Sequence, residues 1–305
     1  MSEKTAQVPP PGGTTLLAGR PVARIGFGAM QLPGPGRPAP PPREQSLAVL
    51  RRAVDSGVNH IDTSQFYGLG LANELIRAAL FPYPDHLVLV SKVGADDRPG
   101  GQIVPARRPE QLRDGVERNL ATLGVDRLDV VNLRIMDAHM DGSPVGPDQQ
   151  VPLDDQLAEM TSLRDEGKIG GIGLSNITLE HLNQALPVGI ACVQNQYSLL
   201  ERSGEPLLDI CRENAIPWVP FFPLGSAFPG FPKVSEHPQV IEAAEKLDAT
   251  PAQIGLAWLL ATYEHTLLIP GTASIDHLDE NIATAQVRLP PETVRSLEDA
   301  TADRR

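Results

Sequence analysis

The feature that most constrains this chain is an alternation of two periodicities. Short apolar, β-branched runs occupy residues 25–30, 58–62, 87–93, 128–133, 169–174, 192–197, 218–224 and 267–269. Between them, residues 44–56, 109–123, 153–166, 179–186, 206–214 and 251–263 carry apolar side chains three and four apart. Strand-length runs alternating with amphipathic helices give parallel strands joined by helical crossovers. Eight such units close into a (β/α)8 TIM barrel. An open doubly wound sheet would instead carry a glycine-rich phosphate loop after its first strand. Here Gly26-Phe27-Gly28 lies inside the strand and lacks the third glycine.

A chain of 305 residues with 41% hydrophobic content suits one such barrel, and residues 14–305 are assigned to a single domain. The polar, Pro/Gly-rich residues 1–13 are expected to form a disordered tail. Residues 14–17 and 22–25 flank Ala18-Gly19-Arg20-Pro21 and read as a short hairpin ahead of the first barrel strand. A formal charge of −12, with no basic stripe, argues against nucleic-acid partners. No apolar segment approaches a membrane span or a secretion signal, so a cytoplasmic protein is expected, monomeric or weakly homo-oligomeric. Two unpaired cysteines, Cys192 and Cys211, fit free thiols in a reducing compartment.

In a barrel of this kind the chemistry sits on the loops after the strands, so polar residues ending apolar runs are the candidates. The second run ends in Asp62-Thr63-Ser64-Gln65-Phe66-Tyr67-Gly68, the third in Lys92 and the fourth in Arg134. Taken singly, Asp62 fits a helix N-cap, Tyr67 a core aromatic and Arg134 a rim ion pair. Taken together, adjacent strand ends bring Asp62 and Lys92 into an ion pair beneath Tyr67. The ammonium is then expected to lower the phenol pKa, making Tyr67 a proton donor to a developing alkoxide. None of the seven histidines forms a metal-binding pattern, and His60 reads as a packed barrel-layer residue. No Gly-x-Ser-x-Gly elbow supports a hydrolase. Residues 94–105, 135–152 and 227–238 are read as specificity loops without a legible code, with His139 as a possible substrate contact in the second.

The set Asp62, Tyr67, Lys92 resembles the aldo-keto reductase superfamily. The resemblance extends to Gly28-Ala29-Met30, Gly173-Leu174-Ser175-Asn176, Gln194-Asn195-Gln196-Tyr197, Phe222-Pro223-Leu224-Gly225, Ile269-Pro270-Gly271-Thr272 and Glu280-Asn281. Within it, Asn59-His60-Ile61-Asp62-Thr63-Ser64, Asp129-Val130-Val131-Asn132-Leu133-Arg134 and Pro220-Phe221-Phe222-Pro223 look similar to the bacterial pyridoxal reductases. The resemblance implies an NADPH-dependent oxidoreductase that reduces an aldehyde or ketone, pyridoxal to pyridoxine being the leading substrate. A natural-product carbonyl reductase, or an NADPH-binding redox-sensing regulatory subunit, are the alternatives. It also implies that Ser175, Asn176 and Gln194 hold the nicotinamide carboxamide and that Tyr197 stacks on its ring. Leu224, Gly225 and Ser226, after Phe222 and Pro223, would cradle the pyrophosphate, with Gly28, Ala29 and Met30 nearby. Thr272, Ser274 and His277 would meet the 2′-phosphate, beside Ile269, Glu280 and Asn281. Two departures stand out: Arg134 where the superfamily usually has histidine, and Gly271 where a lysine often serves the 2′-phosphate.

Overall fold

A computed structural model describes residues 8–34, 39–98, 102–139, 142–225 and 232–301. Its strands are β1 (Thr14–Leu17), β2 (Arg20–Ala23), β3 (Phe27–Gly28), β4 (His60–Asp62), β5 (Val88–Arg98), β6 (Gln102–Ala106), β7 (Leu128–Arg134), β8 (Ile169–Ser175) and β9 (Ile190–Gln194). Its helices are α1 (Arg43–Asp55), α2 (Leu71–Leu80), α3 (Pro109–Leu123), α4 (Leu153–Asp165), α5 (Leu179–Ala185), α6 (Glu205–Glu213), α7 (Pro238–Leu247), α8 (Pro251–Thr262), α9 (Ile275–Ala283) and α10 (Pro291–Thr301). Strands β3, β4, β5, β7, β8 and β9 lie side by side in that order, every pairing parallel, with helices in the crossovers. The molecule is therefore α/β with a parallel sheet, as the alternation requires. No helix among the described residues is long and apolar enough to cross a membrane.

Register decides which side chains meet. Gly28 stands level with Asp62, and Asp62 with Val90. Lys92 is level with Asn132, Arg134 with Ser175, and Ser175 with Gln194. The polar residues that end successive apolar runs thus gather at one end of the sheet.

Beyond β9 the ladder thins to single bridges, contrary to the seventh and eighth strands expected over 218–224 and 267–269. Trp218 bridges Val193 on one side and Thr266 on the other, and Ile25 bridges Leu268. Val219 N donates to Val193 O at 2.8 Å, Leu267 N to Trp218 O at 2.8 Å, and Gly26 N to Leu268 O at 2.8 Å. Pro217, Pro220 and Pro223 remove every third amide from this segment, and a strand without those donors cannot hold a continuous ladder. The first expected strand is likewise cut short, because Ala29–Gln31 turns into a 3-10 segment after Gly28.

The hairpin is present with a tighter turn than expected. Ala18 and Gly19 alone form it, at φ 49° and 78°, so Arg20 and Pro21 belong to β2. Two left-handed central residues match the twist of the paired strands. Leu17 and Val22 pack on Val88, Val130, Val219 and Leu267, covering the strand ends remote from Asp62 and Arg134. The packed chain also begins upstream of Thr14. Ile25 N donates to Pro11 O at 3.1 Å and Gly13 N to Pro10 O at 3.2 Å, so residues 10–13 are not a free tail, while 1–7 lie outside the described residues.

A further correction concerns 94–105, expected as a loop. Strand β5 runs past Val93 to Arg98, and β6 returns antiparallel, Gly94 opposite Ala106 and Arg98 opposite Gln102; residues 99–101 lie outside the described set. Ala95 and Ile103 of this arm pack with Phe66, Tyr67 and Met136, and this tertiary contact outweighs the turn-like composition of the segment. The main apolar core lies between sheet and helices. In α3, Leu112, Val116, Leu120 and Leu123 repeat at four and three and face inward. Cys192 and Cys211 are free and buried.

Candidate active site

Lys92 and Asp62 form the base of the site. Their side chains are each only 4% exposed, and Lys92 Nζ donates to Asp62 Oδ1 and, at 2.9 Å, to Thr63 O. The second Asp62 oxygen accepts from Gln194 Nε2 at 2.8 Å. A buried charge pair is tolerable only when its remaining lone pairs and protons are also met, and Thr63 and Gln194 supply such partners here. Burial opposes the Lys92 charge, but Asp62 and Tyr67 facing it raise its pKa overall.

Tyr67 arrives on the loop between β4 and α2. Tyr67 N donates to Ser64 O at 3.1 Å, and Ala72 N donates to Tyr67 O at 3.3 Å. From beneath, Gln65 Oε1 accepts from Asn73 Nδ2 at 3.0 Å and from Thr122 Oγ1 at 2.8 Å, which locks the loop onto α2 and α3. Lys92 Nζ lies 5.0 Å from the Tyr67 ring centroid, and the Phe66 ring stands perpendicular to it at 5.3 Å. The expected fall in the phenol pKa does not occur. Burial raises it above the ordinary value of 10; Lys92 and Arg134 oppose that rise, while Asp62 adds to it. The buried carboxylate offsets much of the pull of the ammonium it pairs with, so desolvation decides the direction.

Arg134 ends β7 beside them. Its Nη1 donates to Ser175 Oγ at 3.3 Å, and its guanidinium carbon lies 5.5 Å from the Phe221 ring centroid. Burial lowers its pKa, with Tyr67 opposing.

The residues assigned to the cofactor fall into three groups. Ser175, buried, and Asn176, left-handed at φ 56°, follow β8; Asn176 N donates to Gln194 O at 3.0 Å and Asn176 Nδ2 to Ile135 O at 2.8 Å. Gln194 spends its amide nitrogen on Asp62, leaving Oε1 buried with no partner. An orphaned acceptor beside Ser175 suits a carboxamide N–H, so these residues fit a nicotinamide.

The second group is the bend Phe222-Pro223-Leu224-Gly225. Gly225 sits at φ 88°, and a Cβ there would meet Pro232 O at 2.2 Å, so only glycine fits. Ser226 lies outside the described residues. In the third group, Gly28 and Ala29 are buried and Met30 half-buried against the 269–272 segment, with Gly28 N donating to Pro270 O at 3.5 Å. Gly271 and His277 are exposed and Ile269 and Asn281 half-buried, whereas Thr272 Oγ1 accepts from Ser274 N at 3.0 Å. Ser274 caps α9 by accepting from His277 N at 3.4 Å. Glu280 is engaged elsewhere, bonding the hydroxyl of Thr250 that caps α8.

Tyr197 does not occupy the place expected of it. It is fully buried, stacked on Trp258 at 5.8 Å and edge-on to Trp218 at 5.7 Å, and its hydroxyl bonds Glu205 at 2.9 Å. Pairing continues past Gln194, with Phe221 N donating to Asn195 O at 3.0 Å, and strand alternation puts Tyr197 on the same face as Val193, in the core between sheet and helices. The aromatic ring at the mouth is Phe221, missed in the sequence although it shares strand parity with Val219. The 135–152 segment is tied down by Asp137 to Arg107 at 2.9 Å and by Gln149 Oε1, which accepts from Arg107 N at 2.8 Å. His139 is half-buried, its ring Nδ1 lacking a partner. No cluster of three or more His, Cys, Asp or Glu side chains suited to a metal occurs among the described residues.

Residues 24–302 match the Aldo/keto reductase family model. The chain is 40% identical over 287 residues to pyridoxine 4-dehydrogenase of Escherichia coli, covering 93% of this chain and 97% of that protein. A thermostable aldo-keto reductase solved with the inhibitor epalrestat superposes with a TM-score of 0.78 at 28% identity, over 94% of this chain and 99% of that one. An aldo/keto reductase from Klebsiella pneumoniae, solved with NADP and acetate, superposes at 0.75 with 27% identity, over 97% and 95%.

Proposed function

The chain belongs to the aldo/keto reductase family, and from that premise we propose that it reduces pyridoxal to pyridoxine with NADPH, Tyr67 being the proton donor. The observation that carries the reading is the phenol of Tyr67 set against the buried Lys92–Asp62 pair with Arg134 alongside. The identity to the Escherichia coli enzyme supports the substrate, and the NADP-bound relative supports the cofactor. We read the sheet as the wall of a (β/α)8 barrel whose last two strands are thinned by proline, with the single bridges 193–218–266 and 25–268 in support.

NADPH, when bound, supplies hydride to the carbonyl carbon. Ser175, Asn176 and Gln194 Oε1 would hold the carboxamide, and Phe221 rather than Tyr197 would supply the aromatic side chain beside it. Leu224 and Gly225 would hold the pyrophosphate, and Thr272, Ser274 and His277 the 2′-phosphate. Tyr67 keeps its proton throughout the neutral range because burial raises its pKa, and it donates to the carbonyl oxygen as negative charge develops there. Lys92 then stabilises the phenolate left behind. Arg134 directs guanidinium N–H groups at the same oxygen, a fixed cation where a neutral donor would otherwise stand.

Tyr67→Phe tests the reading. It should abolish pyridoxal reduction while NADPH binding, followed by the fluorescence of the bound cofactor, stays at the parent level. Turnover at the parent rate in that variant would remove Tyr67 from the role, and repeated NADPH oxidation by the parent enzyme excludes a purely regulatory protein.

A further inference from the structure

Arg134 is a cation without a counter-ion among the described residues. Lys92 is neutralised by Asp62. The other carboxylates on the neighbouring loops are engaged: Asp96 with Arg118 at 3.0 Å, Asp97 with the Leu69 amide at 2.5 Å, and Asp137 with Arg107 at 2.9 Å. No carboxylate among the described residues pairs with Arg134, and Tyr67 is the one group whose charge favours its protonated form. A guanidinium has five N–H donors in a planar fork, and among the described residues the acceptor that meets them is Ser175 Oγ at 3.3 Å. An uncompensated, partly buried cation is unfavourable until a ligand brings the missing negative charge.

The surroundings restrict that ligand. Phe221 lies against the guanidinium, and Phe66, Ala95, Met136 and Ile103 form an apolar patch continuous with Tyr67. One free cation beside aromatic and aliphatic walls suits a flat, largely apolar molecule with a single anionic oxygen. If the carbonyl oxygen lies at the Tyr67 hydroxyl, the anionic oxygen must stand next to it to reach the same guanidinium.

We propose that Arg134 is a specificity-determining residue, selecting aryl aldehydes that carry an ionised hydroxyl ortho to the carbonyl. Its fork spans the carbonyl oxygen and the ortho oxyanion together, as it would the two oxygens of a carboxylate. Pyridoxal has this arrangement, with a ring hydroxyl beside its aldehyde, and so do simple 2-hydroxybenzaldehydes. The inference rests on the reading of Tyr67 as proton donor but does not need pyridoxal to be the substrate.

The test is a steady-state series with NADPH and four probes: 2-hydroxybenzaldehyde, 3-hydroxybenzaldehyde, 2-methoxybenzaldehyde and benzaldehyde. The parent enzyme should favour the first over the other three by at least about tenfold in kcat/KM, the discrimination of a site built to bond one polar group. The advantage should shrink as pH falls below the pKa of the probe's own phenol. In Arg134→Gln and Arg134→His the ratio of 2-hydroxy to 3-hydroxy should collapse towards one, whatever the absolute rates. Similar kcat/KM across the series for the parent enzyme, or an ortho preference that survives in Arg134→Gln, overturns the proposal. Should a variant lose turnover, calorimetry with 2- and 3-hydroxybenzaldehyde on the NADP+-loaded protein, which has no hydride to transfer, reads the same selectivity at a pH above the pKa of the probe phenols. Parent binding should favour the ortho isomer and the variant should bind both alike; a retained ortho preference again overturns it. An ortho preference without pyridoxal turnover would remove pyridoxal alone, and pyridoxal turnover without an ortho preference would remove this proposal alone.

Discussion

The backbone amide of Leu69 donates to Asp97 Oδ2 at 2.5 Å, joining the loop that carries Tyr67 to the hairpin arm that continues the strand of Lys92. The three residues after Tyr67, Gly68, Leu69 and Gly70, take φ values of 66°, 56° and 90°. For Leu69 this left-handed conformation costs about 1–2 kcal/mol, so the carboxylate anchor holds a loop that would otherwise relax. Asp97→Ala should lower kcat by roughly tenfold or more, since displacing a reacting group by about 1 Å is enough to do so. The NADPH dissociation constant should not change, and Asp97→Asn, which keeps an acceptor, should recover most of the rate. An unchanged kcat in the alanine variant would show that Tyr67 does not depend on this tether.

Reduction should persist into alkaline solution. Because burial raises the Tyr67 phenol above its ordinary value of 10, the proton to be donated is present at every pH below that. With benzaldehyde, which has no titrating group of its own, kcat/KM should stay level from neutrality to about pH 9 and fall only beyond it. A limb that falls near pH 7 or 8 would mean that the donor is another group.

Removing one member of the buried pair should be more damaging than removing both. Lys92→Met leaves the Asp62 carboxylate buried without its cation, a loss of about 3–5 kcal/mol in comparable cases. The Lys92→Met/Asp62→Leu double variant should regain much of that stability in urea melts while remaining inactive. Equal midpoints for the single and double variants would argue that the pair is not coupled.

Acid should destabilise the fold through His60. The ring is 2% exposed, and burial, opposed by a hydrogen bond with the Ala23 backbone, brings its pKa down to about 4. The unfolded chain takes up a proton near pH 6.5 whereas the folded one resists until about 4, so stability is complete above 6.5 and declines as pH falls between these values. The span corresponds to roughly 3 kcal/mol. His60→Leu should flatten the stability profile between pH 6.5 and 4 in denaturant titrations; an unaltered acid slope would assign the effect to other groups. A Cβ on Gly26 would lie 2.2 Å from the same ring, so Gly26→Ala should destabilise the parent by more than it does His60→Ala.

Much of the site could be read from the chain because of how parallel sheets register. Asp62, Lys92 and Arg134 each close an apolar run, and level strand ends bring them together, whereas Ser175 and Gln194, named through the family resemblance, stand in the same register. What escaped the sequence depends on contacts between distant segments. The direction of the Tyr67 shift is set by how Phe66, Met136 and the hairpin arm exclude water, which no local pattern encodes. Tyr197 shares strand parity with Val193 and so packs in the core against Trp218 and Trp258, which leaves the mouth to Phe221. The 94–106 hairpin was hidden by the Asp, Pro and Gly residues at its tip, whose composition reads as an open loop.

The prolines at 217, 220 and 223 leave the wall of the molecule unevenly fastened. Beyond the densely bonded β5–β7–β8 ladders runs a seam held by isolated amides, those of Val219, Phe221 and Leu267 among them. Deuterium should therefore enter along this seam well before it reaches Val90 or Val131, and the sheet should open most readily where Phe221 lies against Arg134. Bound dinucleotide, gripping Phe221 through Gly225, would act as the missing stitching.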